Sequence, residues 1–254
     1  MTVDLRDWRA RLLPRGGADL ARQLLLISLS LLAYEHVRTL TASDASVAFV
    51  HARELISFER SLHIFVEPSV QAWAGGSHLL IDAANWLYLN AQTSIVVGVL
   101  IYLYRFRNGS FYFVRNMLMI SWGIALIGYF VFPTAPPRLL PEWGFVDTVA
   151  NFTHVHEQTS TVISLVNPYA AVPSMHVALA IIIGWPMARL ARSRIARVIW
   201  AVYPLMIAFV TVVTANHLLS DALLGAVVAG LSAYGARWLA RARPHAWRLA
   251  GTPA

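Results

Sequence analysis

Apolar residues run through this chain in long, nearly unbroken stretches, not in the alternating pattern of strands or the narrow stripes of surface helices. A membrane-crossing helix needs about 20 mostly apolar residues. Six segments approach that length: 21–40, 79–104, 114–133, 173–191, and two more that share the run from Val198 to Ala236, between Arg197 and Arg237. The shared run holds 39 residues, which leaves room for two helices joined by a tight turn near its midpoint, at Asn216–His217. The pattern predicts an all-α, polytopic membrane protein with six transmembrane helices in one membrane domain over 1–254. Two connections are long. Residues 41–78 predict an interfacial helix, capped by Ser43 or Asp44, with Leu55, Phe58, Leu62 and Phe65 at helical spacing opposite Arg53, Glu54 and Arg60. Residues 134–172, rich in Pro, Asn, Thr and His, predict an irregular loop of the kind that carries function on a rigid scaffold.

Charge sets the orientation. With the N-terminus inside, sixteen of the twenty arginines fall on the cytoplasmic side and four (Arg38, Arg53, Arg60 and Arg138) on the outer side. This positive-inside bias predicts a cytoplasmic segment 1–20, a cytoplasmic tail 241–254, and both long connections outside the plasma membrane. Composition agrees with a bilayer: 57% of residues are hydrophobic and 13% charged, about half the charged share of a soluble domain. The net charge of +7 does not indicate a nucleic-acid partner, because the arginines cluster at the ends of apolar runs. The first charged stretch also contains Asp4, Asp7 and Asp19, and no small-residue cleavage site follows, so the first apolar segment reads as a retained helix. The absence of cysteine excludes disulfides and thiolate chemistry.

Three clusters stand out, all on the outer side. Pro133–Arg138 ends the third span, Pro173-Ser174-Met175-His176 starts the fourth, and Asn216-His217, with Asp221 four residues on, starts the sixth. Proline and serine at a helix start leave backbone N–H groups facing an anion, so Ser174 and Met175 are candidate phosphate-binding positions. His176 stands in the same turn as a proton donor. His217 and Asp221, four apart, share a helix face, and the aspartate can orient the imidazole for attack. Arg138 is a forked donor suited to phosphate. The set composes a phosphoryl-transfer site that requires no metal or cofactor, although a zinc ion on His176, His217 and Asp221 is a conceivable competitor. Asp82, Asn85 and Gln92 lie on one stripe of the second span and, with Asn216, form a possible headgroup pocket; bonding to neighbouring helices is the equal alternative for the stripe.

These motifs resemble the type 2 phosphatidic acid phosphatase superfamily. Its Pro-Ser-x-His motif matches Pro173–His176, and the histidine and aspartate of its third motif match His217 and Asp221, over a catalytic core spanning roughly 79–240. The resemblance implies that His217 is the nucleophile, Asp221 its partner and His176 the general acid, with a membrane lipid phosphate as substrate. The chain departs from the pattern in its basic ligands. It has no lysine with which to begin the first motif, and Val210 and Thr211 stand where Ser-Arg is usual. Arg105, Arg107 and Arg115 cannot substitute, being about 30 Å away across the hydrocarbon layer. The outer loops offer His51, His63, His78, His154, His156, Arg53 and Arg60. The reduced motif set is similar to the branch containing the fungal inositol phosphorylceramide synthases, which transfer a phosphoinositol headgroup. Two non-enzymatic readings compete: an anion or lipid transporter, disfavoured by the lack of internal repeats, and an inactive lipid-binding scaffold.

Overall fold

The computed structural model describes residues 13–40, 45–153 and 167–243. Ser43, Asp44, His154, His156 and most of both terminal segments lie outside the described residues. The chain is a polytopic all-α membrane protein. Among the described residues the only strand-like pairing is an isolated parallel bridge between Thr134 and Ala170.

The helices in chain order are α1 (Gly16–Leu40), α2 (Ala45–Ser61), α3 (Glu67–Gly75), α4 (His78–Trp86), α5 (Gln92–Phe106), α6 (Asn108–Val131), α7 (Thr148–Thr153), α8 (Met175–Leu190), α9 (Arg194–Val213) and α10 (Leu219–Ala242). A single π turn, Leu87–Ala91, joins α4 to α5 in one continuous rod. Five of these units are long and apolar enough to cross a membrane: α1, the α4–α5 rod, α6, α9 and α10. The remaining apolar helix, α8, has 16 residues, about 24 Å of rise. It packs against α5, α6, α9 and α10, at the centre of the bundle. Bulky apolar side chains such as Phe130, Ile195 and Leu205 are at least 70% exposed on the bundle's outside, as they must be where the solvent is lipid.

Local chemistry explains the boundaries. Ser193 caps α9, its Oγ accepting from the Ala196 amide at 3.1 Å, and Ser77 caps α4 in the same way through Leu80. At the arginine-rich end, Asp19 of α1 accepts from Tyr104, Tyr112 and Gln23, while the fully buried Arg115 donates to Gln23 and Asn116. This satisfied polar network fastens α1 to α5 and α6. Nearer the other end, Tyr34 of α1 stacks on Trp122 of α6, ring centroids 6.0 Å apart, and its hydroxyl meets that of Tyr129.

The 41–78 connection departs from expectation. It holds two helices rather than one, and α2 stops at Ser61, before Leu62 and Phe65. Its buried face is Ala48, Ala52, Ile56 and Glu59, whereas Phe58 and Leu62 are exposed. Small side chains allow the helix to lie directly on the loop that follows α6. Ala48 and Ala52 pack with Ala135, Leu139, Leu140 and Tyr169, and Ile56 packs with Phe145, Ala215 and Leu218. Helix α2 thus covers the segment bearing Arg138 and the turn bearing His217.

Candidate active site

Three backbone segments meet at one end of the bundle. The turn between α9 and α10 is shaped by Thr211, whose carbonyl accepts from the amides of Asn216 (2.9 Å) and His217 (3.2 Å). Ala215 is held at φ +50°, a conformation that costs a non-glycine residue about 1–2 kcal/mol. Its carbonyl accepts from the Arg138 amide at 2.8 Å, which fixes the Pro133–Arg138 segment against the turn. The Arg138 guanidinium donates to the Asn216 side-chain carbonyl and lies 3.9 Å from Asp147, and Asn216 in turn donates to Thr214 Oγ1 at 2.8 Å.

The start of α8 is seated on α10. The Ser174 amide donates to the Asp221 carbonyl at 3.1 Å, and Gly225, one turn further along α10, lies directly against Ser174. A Cβ at Gly225 would sit 2.3 Å from the Ser174 carbonyl oxygen, and one at Gly128 of α6 would sit 2.7 Å from Pro173 Cδ. Only glycine at both positions lets the Pro173–Ser174 corner wedge between α6 and α10. Nothing in the sequence pattern marks Gly128 or Gly225 as special.

These seatings bring the histidines together, with the His176 and His217 rings 5.8 Å apart at their centroids. His176 is stacked beneath Tyr88, 4.2 Å away, and its carbonyl accepts from Gln92 at 2.6 Å. Both supports come from the π turn or the residue after it, a distortion that often marks a functional site. His217 Nδ1 lies 3.5 Å from Asp221 Oδ2, longer than an ordinary hydrogen bond. Burial, and after it the charge of Arg138, pushes the His217 imidazolium down to about 3. The ring is therefore neutral at neutral pH, as a nucleophile must be.

Asp221 has a second task. Its Oδ2 accepts from the Leu218 amide at 2.9 Å, capping the first turn of its own helix. Two further carboxylates complete that cap from α2 and α3. Glu59 accepts from the Ser220 amide at 2.7 Å, and Glu67 accepts from the Leu219 amide at 2.8 Å. Both glutamates are fully buried. Burial, reinforced by the neighbouring Glu59 carboxyl, raises the Glu67 carboxyl to about 7. No sequence signal points to either residue, because their partners are 161 and 152 positions away.

A cavity of about 360 Å³ opens onto this arrangement and is lined by Arg138, Met175, His176, Asn216, His217 and Gln92. Ser174 is not among its walls. The residue is fully buried, its amide is bonded to Asp221, and its Oγ accepts from the Val177 amide at 3.4 Å. The structure therefore places Ser174 as a helix cap, where sequence suggested a phosphate ligand, and leaves the first-turn amides of Met175 and His176 without intrahelical carbonyl partners. Asp82 and Asn85 do not reach this cavity either. They line a second one, about 510 Å³, with Gln71, His78 and Asn151, and Asn85 is bonded to Thr148 at 3.2 Å through both its amide atoms. The π turn explains the split: one extra residue between Asn85 and Gln92 rotates the stripe that a regular helix would keep in line. His51 bonds to the Pro133 carbonyl at 2.8 Å and stacks on Phe132, so it shapes the loop instead of facing the histidines. Among the described residues, no three His, Asp or Glu side chains are grouped to hold a metal ion.

The model of a family described as the PAP2 superfamily matches residues 53–235. Comparison with curated proteins and with solved structures gives no significant match.

Proposed function

Because the chain belongs to the PAP2 superfamily, a group of phosphatases and phosphotransferases, we propose that it is a lipid phosphate phosphatase or phosphotransferase acting through a phosphohistidine at the outer face of the plasma membrane. The observation that carries this reading is the pairing of a neutral, buried His217 with Asp221 at 3.5 Å, opposite His176 and beside Arg138 in one cavity. The His217 imidazole attacks phosphorus, and the bond from phosphorus to the lipid's ester oxygen breaks. His176 gives that oxygen its proton and releases an alcohol. His176 then takes a proton from water, which attacks the phosphohistidine, frees phosphate and restores His217. Arg138 and the amides of Met175 and His176 stabilise the charge on the non-bridging oxygens. In this reading the chain makes six membrane passages, with α8 as the shortest, and has both termini in the cytoplasm and this site outside; the arginine distribution supports it.

A second reading replaces water by an acceptor lipid alcohol, giving headgroup transfer of the phosphoinositol type. The reduced set of basic ligands and the Pro133–Arg138 segment favour it. The test is phosphate release from a panel of lipid phosphates by protein purified in detergent with EDTA, beside His217→Ala. Release by the wild type alone supports hydrolysis. Activity that appears only with an added acceptor lipid supports transfer, and failure of both leaves a lipid-binding scaffold.

A further inference from the structure

Helix α1 precedes the region matched by the family model, which begins at residue 53. Yet one face of α1 forms a wall of the cavity that holds the two histidines. Ile27, Leu31, Tyr34, Glu35 and Arg38 all line it, at the 4-3-1-3 spacing of a single helical stripe. The stripe is graded. Arg38 and Glu35 share the cavity with Arg138, His176 and His217, while Leu31 and Ile27 share it with Val96, Leu100, Leu118 and Leu179. From Arg38 to Ile27 the helix rises about 16 Å, so the cavity is charged at one end and aliphatic along its length. That is the shape of an anionic amphiphile.

Arg38 is held in place. Its Nη2 is 2.8 Å from Glu35, its side chain is 24% exposed, and its carbonyl accepts from Asn167, another lining residue, at 2.9 Å. Below it, Tyr34 is locked between Trp122 and the Tyr129 hydroxyl. The wall is therefore built and rigid. It also places a second guanidinium on the cavity that Arg138 lines.

Resting on the phosphoryl-transfer reading above, we infer that α1 is part of the substrate site: Arg38 contacts a phosphate oxygen of the lipid beside Arg138, and Leu31 and Ile27 line the slot for its aliphatic chain. Chain recognition and the second phosphate cation then both come from α1.

The experiment uses the full chain in detergent, with Arg38→Gln, Arg38→Lys and Leu31→Trp, each checked for folding by its thermal unfolding. Two readouts are taken: kcat and KM on lipid phosphates, and binding of a non-hydrolysable lipid phosphonate in the His217→Ala background. Arg38→Gln should raise KM and weaken phosphonate binding on the order of tenfold or more, with Arg38→Lys between it and the wild type. Leu31→Trp should raise KM for a long-chain substrate and leave a short-chain one unchanged. An active wild type with Arg38→Gln unchanged in both readouts overturns the inference and leaves the phosphoryl-transfer reading standing. An inactive wild type that binds the phosphonate through Arg38 overturns that reading and keeps the inference. No phosphonate binding at all, or binding indifferent to Arg38, defeats the inference in either case.

Discussion

The Ser174 amide donates to the Asp221 carbonyl at 3.1 Å. Through this one bond the turn that carries His176 is registered against the helix that carries Asp221. Two motifs 47 positions apart in the sequence become one rigid site, and Gly225 is what permits the approach.

Gly225→Ala should therefore disrupt the site without touching a reactive group. The new Cβ meets a backbone oxygen, which cannot swing aside, and overpacking of this kind costs about 1–3 kcal/mol. Thermal unfolding in detergent should show a lower midpoint, and activity should fall in parallel. Gly230→Ala, on the same helix with nothing within 4 Å of the added Cβ, is the control and should match the wild type.

Asp221→Asn keeps the size of the side chain and replaces its carboxyl with an amide. In the proposed reaction the imidazole then loses the carboxyl that orients it and supports its positive form. Turnover should fall on the order of a hundredfold or more, with KM changed much less. Equal losses in both constants would mark Asp221 as only a helix cap.

In the proposed reaction Arg138 holds the anion, and after burial its charge is the next influence on the protonation of His217. Its charge helps to hold the imidazolium low, so removing it should let the ring protonate more readily. Arg138→Gln should accordingly move the acid limb of the kcat/KM profile to higher pH, besides lowering the rate. An acid limb that stays in place would separate Arg138 from His217.

Glu67 predicts a pH-dependent stability. The Glu67 carboxyl is raised in the folded state to about 7, against an ordinary value of 4.5. The folded protein thus holds this proton more tightly than the unfolded chain. The resulting stabilisation is complete below pH 4.5 and is lost as pH rises through about 7. The unfolding midpoint should fall between pH 5 and pH 8 in the wild type. Glu67→Gln, which stays neutral, should flatten that dependence.

The helical membrane fold was legible because apolar length is a one-dimensional signal. The turn at Asn216–His217 followed from dividing a single apolar run in two, and the His217–Asp221 juxtaposition from a spacing of four. What the sequence hid was whatever depends on distant backbone. Arg138 finds Asn216 across 78 positions, and Glu67 finds Leu219 across 152. The π turn broke the stripe of Asp82, Asn85 and Gln92, which assumed a regular helix. In α2 the bulky stripe drew attention, but the alanine face made the contact, because closeness to the loop required small side chains. Ser174 looked like an anion ligand for the reason it is a good cap: its hydroxyl suits a helix start.

The central claim is that His217 forms the covalent intermediate. The direct measurement is to quench the purified protein during turnover of a lipid carrying labelled phosphate, and to locate the label by peptide mapping. An acid-labile, base-stable phosphoryl group should appear on His217 in the wild type, more of it in a His176→Ala variant that cannot activate water, and none in His217→Ala. Label on another residue, or undiminished phosphate release by His217→Ala, would contradict that claim.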